Sequence, residues 1–158
     1  MSEMGIGSGR IPLIGNGGEM VAPDLAKAVS KDELNGVMGI VANFPGKGLE
    51  PLAATFEKEY KEPWMSQDSL STYGEVWILK DALEKAGSAD REKVAQAIRT
   101  MNTTDGPARY FPGGRVQFDA KGRMVGAKFV IVQWQGGKPV PIYPSAIALG
   151  KPIWPAGH

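Results

Sequence analysis

Few residues of this chain are of a type and spacing that could do chemistry. The first group is the turn Asn16-Gly17-Gly18-Glu19, which follows the apolar stretch Ile11-Pro12-Leu13-Ile14-Gly15. Open α/β sheets hold ligands at the carboxyl ends of their strands, and Glu19 supplies this turn with a carboxylate. The second group is Gln67-Asp68-Ser69, an amide, a carboxylate and a hydroxyl in a row. Phe44, just after the apolar run Gly36–Ala42, is an aromatic candidate for a pocket wall. These are binding groups, and each also has a structural use. Glu19 serves equally as a solvated loop acid, Phe44 as packing, and Ser69 or Ser71 as a helix cap. Tyr73, Trp77 and Trp134 read as core residues, and Trp64 as either a cover for a helix end or a ligand contact.

Catalysis and metal binding find no comparable set. Cysteine is absent and the single histidine is the last residue, His158. A thiolate nucleophile and a disulfide are therefore excluded, and a triad or histidine-based zinc site is disfavoured. Asn16-Gly17-Gly18 lacks the further glycines, or the Lys-Ser/Thr pair, that a phosphate-binding loop needs. The acid pairs Glu57/Glu59 and Asp81/Glu84 fall on solvent faces of helices. The reading is of a protein that is not an enzyme and takes no cofactor or metal.

The elements that must position these residues follow from periodicity. With 158 residues, 42% hydrophobic, the chain is of ordinary domain size. A formal net charge of +1 provides no field for nucleic acid or an anionic membrane surface. No apolar run approaches the roughly 20 residues that cross a bilayer. Met1–Gly7 has no basic segment followed by an apolar run, so it does not read as a signal peptide. Strands are expected over Arg10–Gly15 and Gly36–Ala42, the latter apolar without alternation and so expected to be covered on both faces. Helices are expected over Pro23–Val29, Leu49–Tyr60 and Ser71–Ala86. The last has the widest apolar arc (Tyr73, Val76, Trp77, Leu79, Leu83) and is expected to be the most buried. Gly87 ends it, and Ser88 or Asp90 caps a further helix with Val94, Ala97, Ile98 and Met101 inward. Val116–Phe118, Lys128–Trp134 and Val140–Tyr143 then read as extended, with turns at Asp119–Gly122 and Gly136-Gly137 and an irregular tail from Pro144. Helix-separated strands with an antiparallel ending argue an α/β fold.

Four segments, in order, resemble the later part of the branched-chain amino acid (leucine/isoleucine/valine) binding protein family, type I periplasmic binding proteins of ABC importers. They are Leu13–Gly18; Thr72–Val76 leading to Asp81–Ser88; Asp90–Ile98; and Val116–Gly122 with Val130–Trp134. The resemblance implies two Rossmann-like α/β lobes with three hinge crossings, of which this chain is an N-terminally truncated portion. On that pattern residues 1–45 belong to the C-terminal lobe and 46–125 to the N-terminal lobe. Residues 126–145 return to the C-terminal lobe, and 146–158 form the irregular tail. It also implies a periplasmic receptor that binds a small solute between the lobes and docks on membrane permease subunits. The implied ligand-binding residues are Asn16, Gly17, Gly18, Glu19, Phe44, Gln67 and Asp68, the last two in a loop before a helix. In the family a carboxylate in the first turn can pair with a ligand ammonium. The ungapped match to it here is Gly17, and the nearest acid is Glu19. The implied solutes are hydrophobic amino acids, amides or related small organic acids. A cytoplasmic ligand sensor of the same fold is the alternative, and a flavodoxin-like enzyme is disfavoured by the lack of a nucleophile–base pair. A portion lacking strands from both lobes is expected to be poorly soluble or molten alone.

Overall fold

The apolar run beginning at Gly36 forms a strand, β2 (Met38–Val41), on which three others assemble. On one side lies β1 (Ile14–Asn16), parallel, with Ile14 opposite Met38. On the other lies β5 (Val130–Gln135), antiparallel, with Met38 opposite Gln133. The hairpin partner β6 (Lys138–Tyr143) completes the order β1-β2-β5-β6. The computed structural model describes residues 11–154, so the readings on Met1–Gly7 and His158 lie outside the described residues.

β2 departs from the expectation of cover on both faces. Gly39 and Val41 are buried, while Met38 and Ile40 are only half-buried. The buried face belongs to a core of Val21, Leu34, Val41, Phe44, Trp64, Val130, Val132 and Trp134. Short helices α1 (Pro23–Ala28) and α2 (Lys31–Leu34) link β1 to β2. α2 is too short for periodicity to reveal, yet Ser30 and Glu33 close a reciprocal capping box around its start. Next comes α3 (Glu50–Tyr60), which buries none of its residues, and Tyr60 at its end is 69% exposed.

α4 (Gln67–Ala86) starts earlier than its apolar pattern indicates, so Ser69 and Ser71 lie inside it and neither is its N-cap. Its burial also differs from expectation. The buried stripe is Leu70, Gly74, Ile78 and Ala82, whereas Val76, Trp77, Leu79 and Leu83 are exposed. The reason is close approach: a side chain at Gly74 would come within 2.9 Å of Phe111, so small residues make the contact. Gly87, at φ +57°, ends the helix as expected. Asp90 caps α5 (Arg91–Arg99), its carboxylate accepting from Lys93 N–H at 3.0 Å. Val94, Ala97 and Met101 then pack with Ile78, Ala82, Ala108 and Val116 in a second core. β3 (Asn102–Thr103) and β4 (Val116–Gln117) form a small antiparallel pair beside it.

The chain divides into two compact units, residues 11–68 with 129–154 and residues 69–128. The expected breaks were after 45 and after 125. Residues 46–68, including α3, thus fall in the first unit rather than the second. The described part of the tail, residues 146–154, is irregular but tied down. The fully buried amide of Gln133 pairs with both backbone groups of Ile153, accepting its N–H at 2.8 Å and donating to its carbonyl at 3.0 Å.

Candidate functional site

Six of the seven expected site residues meet at the carboxyl ends of β1 and β2. Two glycines facing each other across those strands, Gly15 and Gly39, make the arrangement possible. A side chain on Gly15 would lie 2.7 Å from Met20 Cε, and one on Gly39 would lie 3.0 Å from Val21 Cγ1. This notch lets the chain fold back over its own strands directly after β1, as a 3-10 turn over Gly18–Val21. Two tryptophans hold it from the core. Trp64 Nε1 donates to Val21 O and Trp134 Nε1 to Met20 O, each at 2.8 Å, and the two indoles pack edge to face at 5.5 Å. Pairing each indole donor with a backbone acceptor is what makes their burial favourable. The turn is therefore built from beneath by Trp134, which reads in the sequence as packing, and Trp64, which reads as a helix-end cover or a ligand contact. Their signal was only that two tryptophans each needed an acceptor.

On this base Asn16 is exposed at the tip of β1. Gly17 takes φ +100°, which only glycine adopts readily, and its N–H bonds Ile40 O at 3.0 Å. Glu19 is exposed, and its side chain turns back over the same glycine. A side chain on residue 17 would begin 2.8 Å from Glu19 Oε2. The turn thus presents a carboxylate beside Gly17 although residue 17 has none.

Gln67 and Asp68 occupy the first turn of α4, not a preceding loop. Gln67 Oε1 accepts the Ala42 N–H at 2.7 Å, and its Nε2 donates to Asp68 Oδ1 at 3.3 Å. A side chain on Gly18 would lie 2.8 Å from that Nε2 and 3.5 Å from Asp68 Oδ1, so these side chains rest on Gly18. Phe44 is the residue the structure removes from the group. It is 4% exposed within the first core, packed with Trp64 and Trp134 rather than open to a ligand. The assembled surface offers the Glu19 and Asp68 carboxylates and the Asn16 amide around a glycine backbone, suited to holding a polar or amino-bearing group. Among the described residues no cluster of three acidic or histidine side chains could hold a metal ion. Nor is any helix among them long and apolar enough to cross a membrane.

The parallel-then-antiparallel sheet with its strand-end turn is an α/β arrangement, and comparison with known proteins makes the family explicit. The profile of the periplasmic binding proteins matches residues 1–138, and the chain belongs to that family. It is 28% identical over 145 residues to Leu/Ile/Val-binding protein homolog 7 of Brucella suis, covering 88% of this chain and 36% of that protein. It is 29% identical over 135 residues to the leucine-, isoleucine-, valine-, threonine- and alanine-binding protein of Pseudomonas aeruginosa, covering 85% of this chain and 31% of that one. The chain thus spans about a third of the length of these curated relatives. Among solved structures, the leucine binding protein LivK of Thermotoga maritima superposes with a TM-score of 0.67 at 21% identity, over 89% of this chain and 38% of that one. A solute-binding protein of an ABC transporter from R. palustris, in complex with benzoate, gives 0.63 at 18% identity, over 92% and 39%. The fold is that of the type I periplasmic binding proteins.

Proposed function

We propose that this chain is part of the solute-binding component of an ABC importer for branched-chain or other hydrophobic amino acids, amides or related small organic acids. In this reading the protein works in the periplasm, does no chemistry, and hands its solute to permease subunits in the membrane. Residues 11–68 and 129–154 would form the C-terminal lobe and residues 69–128 part of the N-terminal lobe. Asn16, Gly17, Gly18, Glu19 and Asp68 would contribute one side of the solute site.

The observation that carries the ligand class is the Glu19 carboxylate lying over Gly17. An acid held at the carboxyl end of β1 favours a solute bearing an ammonium group, and the names of the curated relatives point the same way. The test is thermal unfolding of the purified protein with L-leucine, L-isoleucine, L-valine, acetamide and benzoate. A ligand at a hundred times its Kd stabilises by about 2.7 kcal/mol, which is readily seen as a raised Tm. A branched-chain amino acid should give that rise, and Glu19→Gln should weaken it by about tenfold in affinity, the scale of one charged hydrogen bond. Stabilisation by benzoate alone would overturn the ammonium reading. Stabilisation by none of the five would overturn the receptor reading.

A further inference from the structure

We propose that Gln67 is a positioning residue, fixing the end of β2 and the Gly17–Gly18 turn to the first turn of α4 rather than touching solute. The orientation of its amide follows from chemistry. A backbone N–H only donates, so the atom 2.7 Å from Ala42 N is the carbonyl Oε1. The amide nitrogen then faces Asp68 Oδ1 at 3.3 Å, as its donor. Both ends of the side chain are thereby engaged, and the same nitrogen lies where a side chain on Gly18 would stand. One side chain thus bonds the backbone of residue 42 and the carboxylate of the neighbouring Asp68, and lies against Gly18.

Its place along the chain gives the latch a purpose. The first compact unit ends at Asp68 and the second begins at Ser69, within the first turn of α4. Gln67 therefore ties the turn to the last residues before the chain crosses to the other unit. It also orients Asp68, whose carboxylate is exposed at the turn. Only a side chain of this length, carrying both an acceptor and a donor, meets all three demands. Its effect on solute binding rests on the function proposed above, whereas its effect on the turn does not.

In the wild-type protein, the Ala42 nitrogen should show an NMR coupling through the hydrogen bond to the side-chain carbonyl carbon of Gln67. Gln67→Met, of similar length but without hydrogen bonds, should speed exchange of the Ala42 amide about fivefold, the scale of one lost hydrogen bond. It should also shift the Gly17 and Gly18 amide resonances and weaken L-leucine binding severalfold by calorimetry. Gln67→Glu, which retains the acceptor, should return Ala42 exchange to within about twofold of wild type. Absence of the coupling, or unchanged Ala42 exchange in Gln67→Met, overturns the latch. Faster exchange with unchanged leucine affinity overturns its role in the site. If the wild-type protein binds no leucine while exchange and glycine shifts move as stated, the solute reading fails and the latch stands.

Discussion

Asp119 closes its turn by gathering donors of Lys121 and Arg123 on one carboxylate. Oδ1 accepts the Arg123 and Lys121 N–H groups at 2.9 and 2.8 Å, and Oδ2 accepts Arg123 Nε at 2.9 Å. The Arg123 backbone N–H, then its side chain, then the Lys121 N–H hold this carboxyl below the usual aspartate range. A depressed folded-state pKa contributes stability above the unfolded value of about 3.9, and that contribution is lost as pH falls through the folded pKa. Asp119→Asn should therefore lower Tm at pH 7 and have little effect near pH 2, as followed by circular dichroism. This turn was legible because aspartate and glycine at fixed spacing leave few alternatives. The carboxylate beside Gly17 was not, because sequence order places Glu19 two residues away and only its folded side chain brings it back. The indole donors were hidden for the same reason. Trp134→Phe withdraws the donor from Met20 O and leaves the space of the indole's second ring unfilled, so it should cost at least about 1–3 kcal/mol of stability by denaturant unfolding.

At the scale of elements, length and period decided what could be read. α5 and the β5–β6 hairpin carry clean signals, a capping aspartate with a narrow stripe in one and paired glycines in the other. α2 is four residues long and offers no period. α4 misled differently, since Val76, Trp77, Leu79 and Leu83 face away from the core that Ile78 and Ala82 pack against. Hydrophobicity shows that a face wants cover, and the partner's shape decides which face receives it. The tail was legible only as irregular, because its order comes from scattered bonds, the side-chain amides of Gln133 and Gln135 and a few backbone groups, rather than from a ladder. Gln133→Ala should remove both bonds to Ile153 and cost roughly 1–3 kcal/mol. Limited proteolysis should then cut the chain beyond residue 146 well before the wild type is cut.

For the whole molecule, Val76, Trp77, Leu79 and Leu83 are exposed on one helix, and this apolar face should promote association of the chain. Leu79→Lys should raise its soluble yield and reduce binding of an apolar dye, and unchanged dye binding would count against this face as the cause. The division of the chain after residues 68 and 128 leaves no mark in its composition. α3 has the composition of an ordinary surface helix, and nothing in it records which unit it joins. The connectivity of those units has a consequence for synthesis. The second unit is one unbroken stretch, 69–128, whereas the first is completed only when 129–154 joins 11–68. β2 must therefore wait for β5, its partner 95 positions later at Met38 and Gln133, before it has a second neighbour. Chains generally fold from the N-terminus as they emerge from the ribosome. Here residues 69–128 emerge between β2 and β5, so β2 keeps an open edge until β5 has been made. A translational pause placed before the codons of β5 would prolong that interval, and with it the exposure of β2 to neighbouring nascent chains.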